Sequence, residues 1–239
     1  MDLNNKIILV TGASRGIGKN ICQALAKEGA HIVATARNLE LLGKLEKEIK
    51  SDGGNATVVP ADLGVESDIL NIFTEIKNKF GRLDVLINNA GIGIFGRIVD
   101  FSMVDFDSIM RLNLRALFQC CKEALKMMIP AREGYIINIS SVVGIKGYPN
   151  HSAYTASKHG VMGLTKSLAA EVQEQGINVS VILPGGVDTD FIGAARPDLD
   201  KSILIPTSDI SKTVLFMLGL SGNSVVDEIY IRRKTSKPF

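Results

Sequence analysis

The sequence has no tryptophan, only three cysteines and no low-complexity tract or internal repeat in 239 residues. Cys22, Cys120 and Cys121 are odd in number and lie in apolar helical patterns, so we interpret them as buried, reduced thiols. Cysteines used in this way indicate neither a disulfide framework nor a metal site. The formal net charge of +2 is too small to indicate a nucleic-acid-binding surface. RNA or DNA binding has only the basic end at 232–234 in its favour, which we interpret as solvated.

Long hydrophobic runs are also missing, since none reaches the ~18 residues that a membrane span requires. The first residues contain no signal-peptide core. We therefore expect a cytoplasmic protein that does not associate with membranes. The composition, with 46% hydrophobic residues and 23 glycines, favours one large α/β domain over residues 1–239.

Short apolar runs alternate with helical patterns along the chain. Strands are predicted at 6–11, 31–36, 56–60, 83–88, 135–140, 178–183 and 228–231. Helices are predicted after the first strand and at 39–51, 66–80, 102–129, 152–175 and 209–220. This alternation predicts a parallel sheet with helices on both faces, and such sheets bind ligands at the carboxyl ends of their strands. We expect a short, mobile substrate loop at about 189–208.

Gly12, Gly16 and Gly18 lie between the first strand and the first helix. Glycines let the backbone approach a pyrophosphate, whose charge would meet the amino-terminal dipole of the helix. The spacing G-x-x-x-G-x-G differs from the G-x-G-x-x-G dinucleotide fingerprint. A tight turn without a ligand is the alternative.

The end of the second strand predicts which nicotinamide cofactor binds. An acid there would hydrogen-bond an unphosphorylated ribose, but the stretch after the strand is Arg37-Asn38. Arg37, with Arg15 from the glycine turn, would bind a 2′-phosphate, because the planar guanidinium suits phosphate. We therefore predict NADP(H) rather than NAD(H), with two solvated arginines as the alternative.

Tyr154 and Lys158 are four residues apart in a predicted helix and thus lie on one face. An ammonium ~4 Å from a phenol would lower the tyrosine pKa by roughly 3 units at an effective dielectric of ~20. The pair then resembles an acid–base group that works near neutral pH. A solvated surface pair is the alternative.

The motifs together resemble the classical short-chain dehydrogenases/reductases over about residues 5–190. The residues that carry the resemblance are Thr11–Gly18, Asn88–Gly91, Asn113, Ser141, Tyr154, Lys158 and Pro184-Gly185. The resemblance implies a single-domain Rossmann-type doubly wound sheet of about seven parallel strands in the order 3-2-1-4-5-6-7. It also implies NAD(P)-linked interconversion of an alcohol and a carbonyl.

Four residues would be catalytic by this resemblance. Tyr154 would be the general acid in reduction and the base in oxidation, and Ser141 would hydrogen-bond the substrate oxygen. Lys158 would lower the Tyr154 pKa and hold the nicotinamide ribose. Asn113 would kink the long helix and hold a water that links Lys158 to solvent. The alternative for Asn113 is a side chain satisfied within its own helix.

The implied cofactor site is larger, and the resemblance implies no metal. Asp62 would contact the adenine, although it could equally begin a helix, and Asn88, Ala90 and Gly91 would line the adenosine ribose. The residues of the implied cofactor site are Gly12, Ser14, Arg15, Gly16, Ile17, Gly18, Arg37, Asp62, Leu63, Asn89, Ala90, Gly91, Tyr154, Lys158, Pro184, Gly185, Val187 and Thr189.

The resemblance implies a small carbonyl compound or alcohol as the substrate, with an acyl thioester as one option. The central part most resembles 3-oxoacyl-carrier-protein reductases and NADP-dependent 3-hydroxy acid dehydrogenases. The last strand lacks the glycine-rich ending of the reductases, which favours the hydroxy acid and alcohol dehydrogenases. A non-catalytic dinucleotide-binding sensor or scaffold is the alternative.

A homodimer or homotetramer is expected through the apolar faces of the two long helices. The residues predicted to form these faces are Ile109, Leu112, Ala116, Leu117, Cys120, Val161, Leu164 and Leu168.

Overall fold

The computed structural model describes residues 1–195 and 200–238. Seven parallel strands form one sheet in the order β3-β2-β1-β4-β5-β6-β7, which confirms the predicted order. The strands are β1 (Ile7–Thr11), β2 (His31–Ala36), β3 (Asn55–Pro60), β4 (Val85–Asn88), β5 (Gly134–Ile139), β6 (Ile177–Pro184) and β7 (Glu228–Ile231). Their bounds differ from the predicted ones by at most two residues.

Eight α-helices lie in the described part of the chain. They are α1 (Gly16–Lys27), α2 (Leu39–Ser51), α3 (Glu66–Phe80), α4 (Met103–Met110), α5 (Leu117–Ala131), α6 (Ser152–Val172), α7 (Asp190–Ala195) and α8 (Thr207–Gly219). Within residues 1–195 and 200–238, no helix is both long enough and apolar enough to cross a membrane.

Side chains of each strand alternate between two apolar cores. In β1, Ile8 and Val10 face the core that includes residues of α1 and α8, whereas Ile7 and Leu9 face the core that includes residues of α3 and α5. Strands buried on both faces have no polar side to mark them, which is why they read as continuous apolar runs. The sheet is thus covered by helices on both faces.

The predicted helix at 102–129 is interrupted. A π-helical turn, Arg111–Ala116, separates α4 from α5 and contains the buried Asn113. Such turns insert an extra residue into the hydrogen-bond ladder and often occur at functional sites. An apolar pattern with helical spacing continues across the insertion, so the interruption is not visible in it.

The segment predicted as a mobile substrate loop at 189–208 contains α7 and a 3₁₀ turn at Lys201–Ile203. Its end is joined to the segment after β6 by a parallel bridge between Val187 and Ile205. Residues 196–199 of this segment lie outside the described residues.

The helix faces predicted to join subunits are mostly used within the chain. Six of the eight predicted residues are buried in the monomer core: Ile109, Ala116, Leu117, Cys120, Val161 and Leu168. Most of these side chains are therefore covered within one chain, where α5 and α6 pack against each other as well as on the sheet.

Candidate active site

The predicted catalytic residues meet at the carboxyl edge of the sheet. Ser141 follows β5, and Tyr154 and Lys158 lie one turn apart on α6. Both side chains of the pair are buried, with 8% of Tyr154 and 4% of Lys158 exposed. The Lys158 Nζ lies 5.8 Å from the centroid of the Tyr154 ring and donates a hydrogen bond to the Ile139 carbonyl at 2.9 Å. The pair is therefore not a solvated surface pair.

The pKa values of Tyr154 and Lys158 differ from the prediction. Burial raises the pKa of Tyr154 to about 12, and the Ser141 hydroxyl acts in the opposite direction by hydrogen-bonding the phenol. Burial also lowers the pKa of Lys158 to about 8. The expected lowering of the Tyr154 pKa is thus wrong for the protein without a dinucleotide. Loss of solvent disfavours the charged form of both groups, and the ammonium is directed at the Ile139 carbonyl.

A buried lysine with a lowered pKa makes stability depend on pH. Between pH ~8 and ~10.5 the unfolded chain binds more protons at Lys158 than the folded chain, so the contribution of Lys158 to stability rises with pH there. Burial raises the pKa values of Cys22, Cys120 and Cys121, which act in the opposite direction once the pH passes the ordinary thiol range. We therefore expect the difference in unfolding free energy between the wild type and Lys158→Met to rise by up to about 1.4 kcal/mol per pH unit. Urea unfolding between pH 7 and pH 10 measures it. Lys166→Met, on the exposed face of the same helix, should keep the wild-type profile, and a difference between the wild type and Lys158→Met that does not change with pH would contradict the assignment.

Besides the Tyr154 phenol, Ser141 has two weak partners. Its Oγ accepts a hydrogen bond from the Val143 amide at 3.3 Å and donates to the Pro184 carbonyl at 3.4 Å. Hydroxyl donors normally approach oxygen to about 2.7–2.8 Å. The hydroxyl can therefore exchange the Pro184 carbonyl for a closer acceptor.

Asn113 connects the π-helical turn to the catalytic helix. Its Oδ1 accepts from the Ile92 amide at 2.8 Å, and its Nδ2 donates to the Ile92 carbonyl at 2.9 Å and to the Ser157 Oγ at 3.1 Å. Ser157 in turn donates to the Tyr154 carbonyl at 2.7 Å. The alternative of a side chain satisfied within its own helix is wrong, because these partners lie on other segments. The sequence analysis did not predict a role for Ser157, although its position next to Lys158 could have indicated one.

The glycine turn has the geometry of an anion cradle. Gly12 and Gly16 have φ values of +64° and +56°, which favour glycine. Helix α1 begins without a side-chain cap, so its first amides can donate to a ligand. Thr189 lies opposite, with its Cγ2 3.1 Å from the position that a Cβ on Gly16 would occupy. These residues fit the pyrophosphate of a dinucleotide.

Three neighbouring residues fix this turn. The Asn89 side chain donates to the Thr11 and Gly12 carbonyls at 2.9 Å and 3.2 Å. The Asn89 and Ala90 amides both donate to the Thr11 hydroxyl at 3.0 Å. Asn89 and Ala90 thus hold the glycine turn against the end of β4. Thr11 belongs to the motif that carries the resemblance, but its role in positioning the glycine turn was not predicted from the sequence.

Gly91 leaves room for two predicted catalytic side chains. A methyl group added to Gly91 would lie 3.2 Å from the Asn113 Oδ1 and 3.7 Å from the Lys158 Nζ. Gly91 therefore brings the segment after β4 close to α6.

The residues predicted to bind the adenosine end of the cofactor include Arg15, Arg37 and Asp62. Arg37 is exposed at the end of β2, whereas the Arg15 guanidinium pairs with the Asp190 carboxylate at 3.4 Å. Asp62 accepts a hydrogen bond from the Gly64 amide at 2.8 Å, and Leu63 is buried beside it. The structure therefore brings Arg15 to α7, whereas Arg37 forms no salt bridge with any residue in 1–195 or 200–238.

The segment after β6 is held on both sides. The Gly185 amide, next to Pro184, donates to the Ile231 carbonyl at 2.7 Å. Val187 is buried, and the Thr189 hydroxyl donates to its carbonyl at 3.2 Å. Of the remaining predicted residues, Ser14 is half-buried in the glycine turn, and Ile17 packs against the core on the α1 side.

Aromatic rings surround Tyr154. The centroids of Phe95 and Phe191 lie 5.6 Å and 5.8 Å from that of Tyr154 and 6.2 Å from each other. A methyl group on Gly93 would lie 2.5 Å from Phe191 and 2.6 Å from Phe95, so a larger residue there would require these rings to move. The His151 ring packs on Phe95 at 4.5 Å. This apolar cover excludes water from the phenol and can receive an apolar substrate group.

A family model described as short chain dehydrogenase matches residues 6–200. The chain belongs to this family. This short-chain dehydrogenase is 39% identical over 197 residues to a 3beta-hydroxysteroid dehydrogenase of Mediterraneibacter gnavus, an alignment that covers 82% of the chain and 71% of the relative. It is 37% identical over 221 residues to the 3-oxoacyl-[acyl-carrier-protein] reductase FabG of Staphylococcus aureus, covering 89% and 90% of the two chains.

Solved structures of similar oxidoreductases have the same fold as this chain. A metagenomic short-chain oxidoreductase in complex with NADP superimposes with a TM-score of 0.87 at 33% identity, over 99% of this chain and 100% of the other. An alcohol dehydrogenase from the archaeon Thermococcus sibiricus, complexed with 5-hydroxy-NADP, gives 0.91 at 26% identity over the same shares. The chain is thus an NAD(P)-dependent oxidoreductase.

Proposed function

We propose that this oxidoreductase interconverts a ketone or 3-oxoacyl group and the matching secondary alcohol by hydride transfer. The observation that carries the proposal is the buried Tyr154–Lys158 pair beside Ser141, at the end of the sheet that holds the glycine turn. A bound nicotinamide cofactor supplies the hydride. The protein supplies position, a proton and an environment without water.

Each residue has a role that follows from its contacts. Tyr154, with a pKa of about 12, is protonated at neutral pH and donates its proton to the carbonyl oxygen in reduction. Ser141 exchanges the Pro184 carbonyl for that oxygen and stabilises its developing charge. Lys158 holds the nicotinamide ribose and favours the phenolate after proton transfer. Asn113 holds α6 in place through Ser157.

The preferred cofactor in this proposal is NADP(H). No acidic residue follows β2, and Arg37 is exposed where a 2′-phosphate would extend. Two structural neighbours are described as complexes with NADP and NADPH, which supports the same preference.

Arg37→Asp should reverse this preference. The change removes a charge-assisted hydrogen bond to the phosphate and adds an acceptor for the ribose hydroxyls, so we expect NADPH to bind roughly 10–100-fold more weakly and NADH to bind no more weakly. NADPH and NADH fluorescence titrations measure both constants. Arg15→Ala is the matched control: because Arg15 is paired with Asp190, its effect should be smaller. Equal losses in both variants would contradict the proposal.

The substrate class is tested by following NADPH absorbance with an acetoacetyl thioester, a 3-oxo acid and simple ketones, and NADP⁺ reduction with a 3-hydroxy acid. The relatives include enzymes named as acting on 3-oxoacyl groups and on hydroxysteroids, which supports a carbonyl or alcohol substrate. Turnover of any of these compounds supports the proposed function. Dinucleotide binding without turnover across the panel would instead support a non-catalytic sensor or scaffold.

We also propose that the chain forms a homo-oligomer. An apolar groove of about 470 Å³ lies between the π-helical turn and α6, and the Phe118 side chain beside it is 55% exposed. Its lining residues are Met110, Arg111, Leu114, Arg115, Phe118, Gly160 and Leu164. This face, which includes Leu164 of the predicted set, can join subunits. Light scattering of the purified chain measures the assembly.

A further inference from the structure

Four consecutive residues from the end of β5 each form a hydrogen bond with α6. The Asn138 Nδ2 donates to the Thr165 Oγ1 at 2.9 Å, and the Ser140 Oγ donates to the Lys158 carbonyl at 3.2 Å. The bonds of the other two residues, to the Lys158 ammonium and the Tyr154 phenol, belong to the candidate active site. Asn138 and Thr165 therefore form the pair that lies farthest along α6 from the phenol.

Asn138 is the centre of a buried chain of hydrogen bonds. Its side chain is fully buried, and its Oδ1 accepts from the Nδ2 of Asn88, which lies opposite it on β4, at 2.9 Å. Thr165 is buried as well, and its hydroxyl donates to the Val161 carbonyl at 2.7 Å. The Thr165 oxygen is thereby left to accept from Asn138. The chain of hydrogen bonds runs from β4 through β5 into α6.

These directional bonds restrict the position of α6 more than the apolar contacts around them. Val161 and Leu168 pack in the same core, but apolar attraction has no direction and would let a helix slide along the sheet. A shift of α6 would instead leave the Asn138 Nδ2 buried without its acceptor, which is costly. The satisfied pair therefore favours one position of α6 on β5.

The same helix face carries the phenol. Tyr154 and Lys158 precede Thr165 by eleven and seven residues, which are close to whole turns of a helix. Helix α6 is continuous between them, so a displacement at Thr165 is carried to Tyr154. Ser141 follows Asn138 by three residues on the other element. The pair thus joins the two elements that carry the hydroxyl groups of the candidate site.

We propose that Asn138 and Thr165 are positioning residues that set where α6 lies on β5 and thereby hold the Tyr154 hydroxyl beside Ser141. Their contacts lie within the core, so they act through Tyr154 rather than on the substrate. The consequence for turnover rests on the proposed function, whereas the position of the phenol can be measured without turnover.

The first test follows the phenol by NMR of the full chain, labelled at the Cζ of its four tyrosines. The signal of Tyr154 is identified by its loss in Tyr154→Phe. In the wild type, Ser141→Ala should shift this signal because it removes a hydrogen bond to the phenol. Thr165→Val keeps nearly the same shape but removes the acceptor for Asn138. We expect it to shift the Tyr154 signal by itself, and Ser141→Ala to cause no further shift in that variant.

The second test measures turnover. Thr165→Val should lower kcat roughly 10–100-fold and leave KM within about twofold, because a misplaced proton donor weakens the transition state and not the binding of the substrate. Thr165→Ser keeps a hydroxyl that can accept from Asn138. It should restore both kcat and the wild-type Tyr154 signal.

Ser180→Ala is the matched control, because it breaks another buried hydrogen bond of β5. The Ser180 Oγ bonds the Tyr135 hydroxyl at 2.9 Å, and this bond does not involve α6. The control should unfold at a lower urea concentration than the wild type, as Thr165→Val does. We expect it to shift the Tyr135 signal and to leave the Tyr154 signal and kcat unchanged.

Three results would each overturn the inference. In the first, Thr165→Val leaves the Tyr154 signal in place, or Ser141→Ala still shifts it as in the wild type. In the second, an active wild type and Thr165→Val have equal kcat. In the third, Ser180→Ala moves the Tyr154 signal or lowers kcat as much as Thr165→Val, which indicates a general loss of packing. A wild type without turnover in which the expected shifts occur would instead refute the proposed function alone.

Discussion

Tyr154→Phe should lower kcat by roughly 10²–10⁴-fold, the usual contribution of a general acid. The variant loses the proton donor, but its ring keeps the contacts with Phe95 and Phe191. Folding and NADPH affinity should therefore change little. Steady-state NADPH oxidation with the best ketone of the panel measures the rate, and NADPH fluorescence measures binding.

Tyr148→Phe is the matched control for this experiment. Tyr148 lies in the segment before α6, is exposed and stacks only on His151 among the described aromatic rings. Its loss of a hydroxyl should change kcat by no more than about twofold. If Tyr154→Phe kept wild-type turnover, or if Tyr148→Phe lost as much, the role given to Tyr154 would be refuted.

Gly18→Ala should weaken dinucleotide binding severely and destabilise the fold by ~1–3 kcal/mol, the usual cost of overpacking. A methyl group on Gly18 would overlap the Gly12 carbonyl and lie 2.5 Å from the Asn89 Nδ2. The glycine turn would have to shift away from the amino terminus of α1. Urea unfolding and NADPH fluorescence measure the two effects.

The matched control is Gly43→Ala in α2, where an added methyl group meets nothing within 4 Å. Because glycine is a poor helix former, this change should stabilise the protein by ~0.5–1 kcal/mol and leave NADPH binding unchanged. Equal stability and equal NADPH affinity in the two variants would show that the glycine turn is not packed as described.

Much of the fold was predictable because its signals are local. The strands β2 and β7 occur at their predicted residues, and α2 and α3 have their predicted bounds. Continuous apolar strands alternating with helices admit few arrangements other than a doubly wound parallel sheet. The π-helical turn at Arg111–Ala116 was not predictable in the same way, because the apolar pattern continues through it.

The candidate site, like the fold, was predictable from the sequence only in part. The positions of Ser141, Tyr154 and Lys158 follow from motif spacing, since residues four apart in a helix share a face and strands of one sheet end at one edge. The pKa values of Tyr154 and Lys158 do not follow from spacing. Burial depends on residues distant in sequence, and it moved the Tyr154 pKa in the direction opposite to the prediction.

By itself the sequence determined that this chain forms a doubly wound sheet with a glycine turn and a tyrosine–lysine pair at one edge. Only the tertiary structure decided that Lys158 donates to Ile139, that Arg15 pairs with Asp190, and that Asn138 donates to Thr165. The physical reason is the distance along the chain over which each kind of interaction acts. Strand and helix propensities act over a few neighbouring residues, whereas desolvation and side-chain pairing depend on segments that only folding brings together.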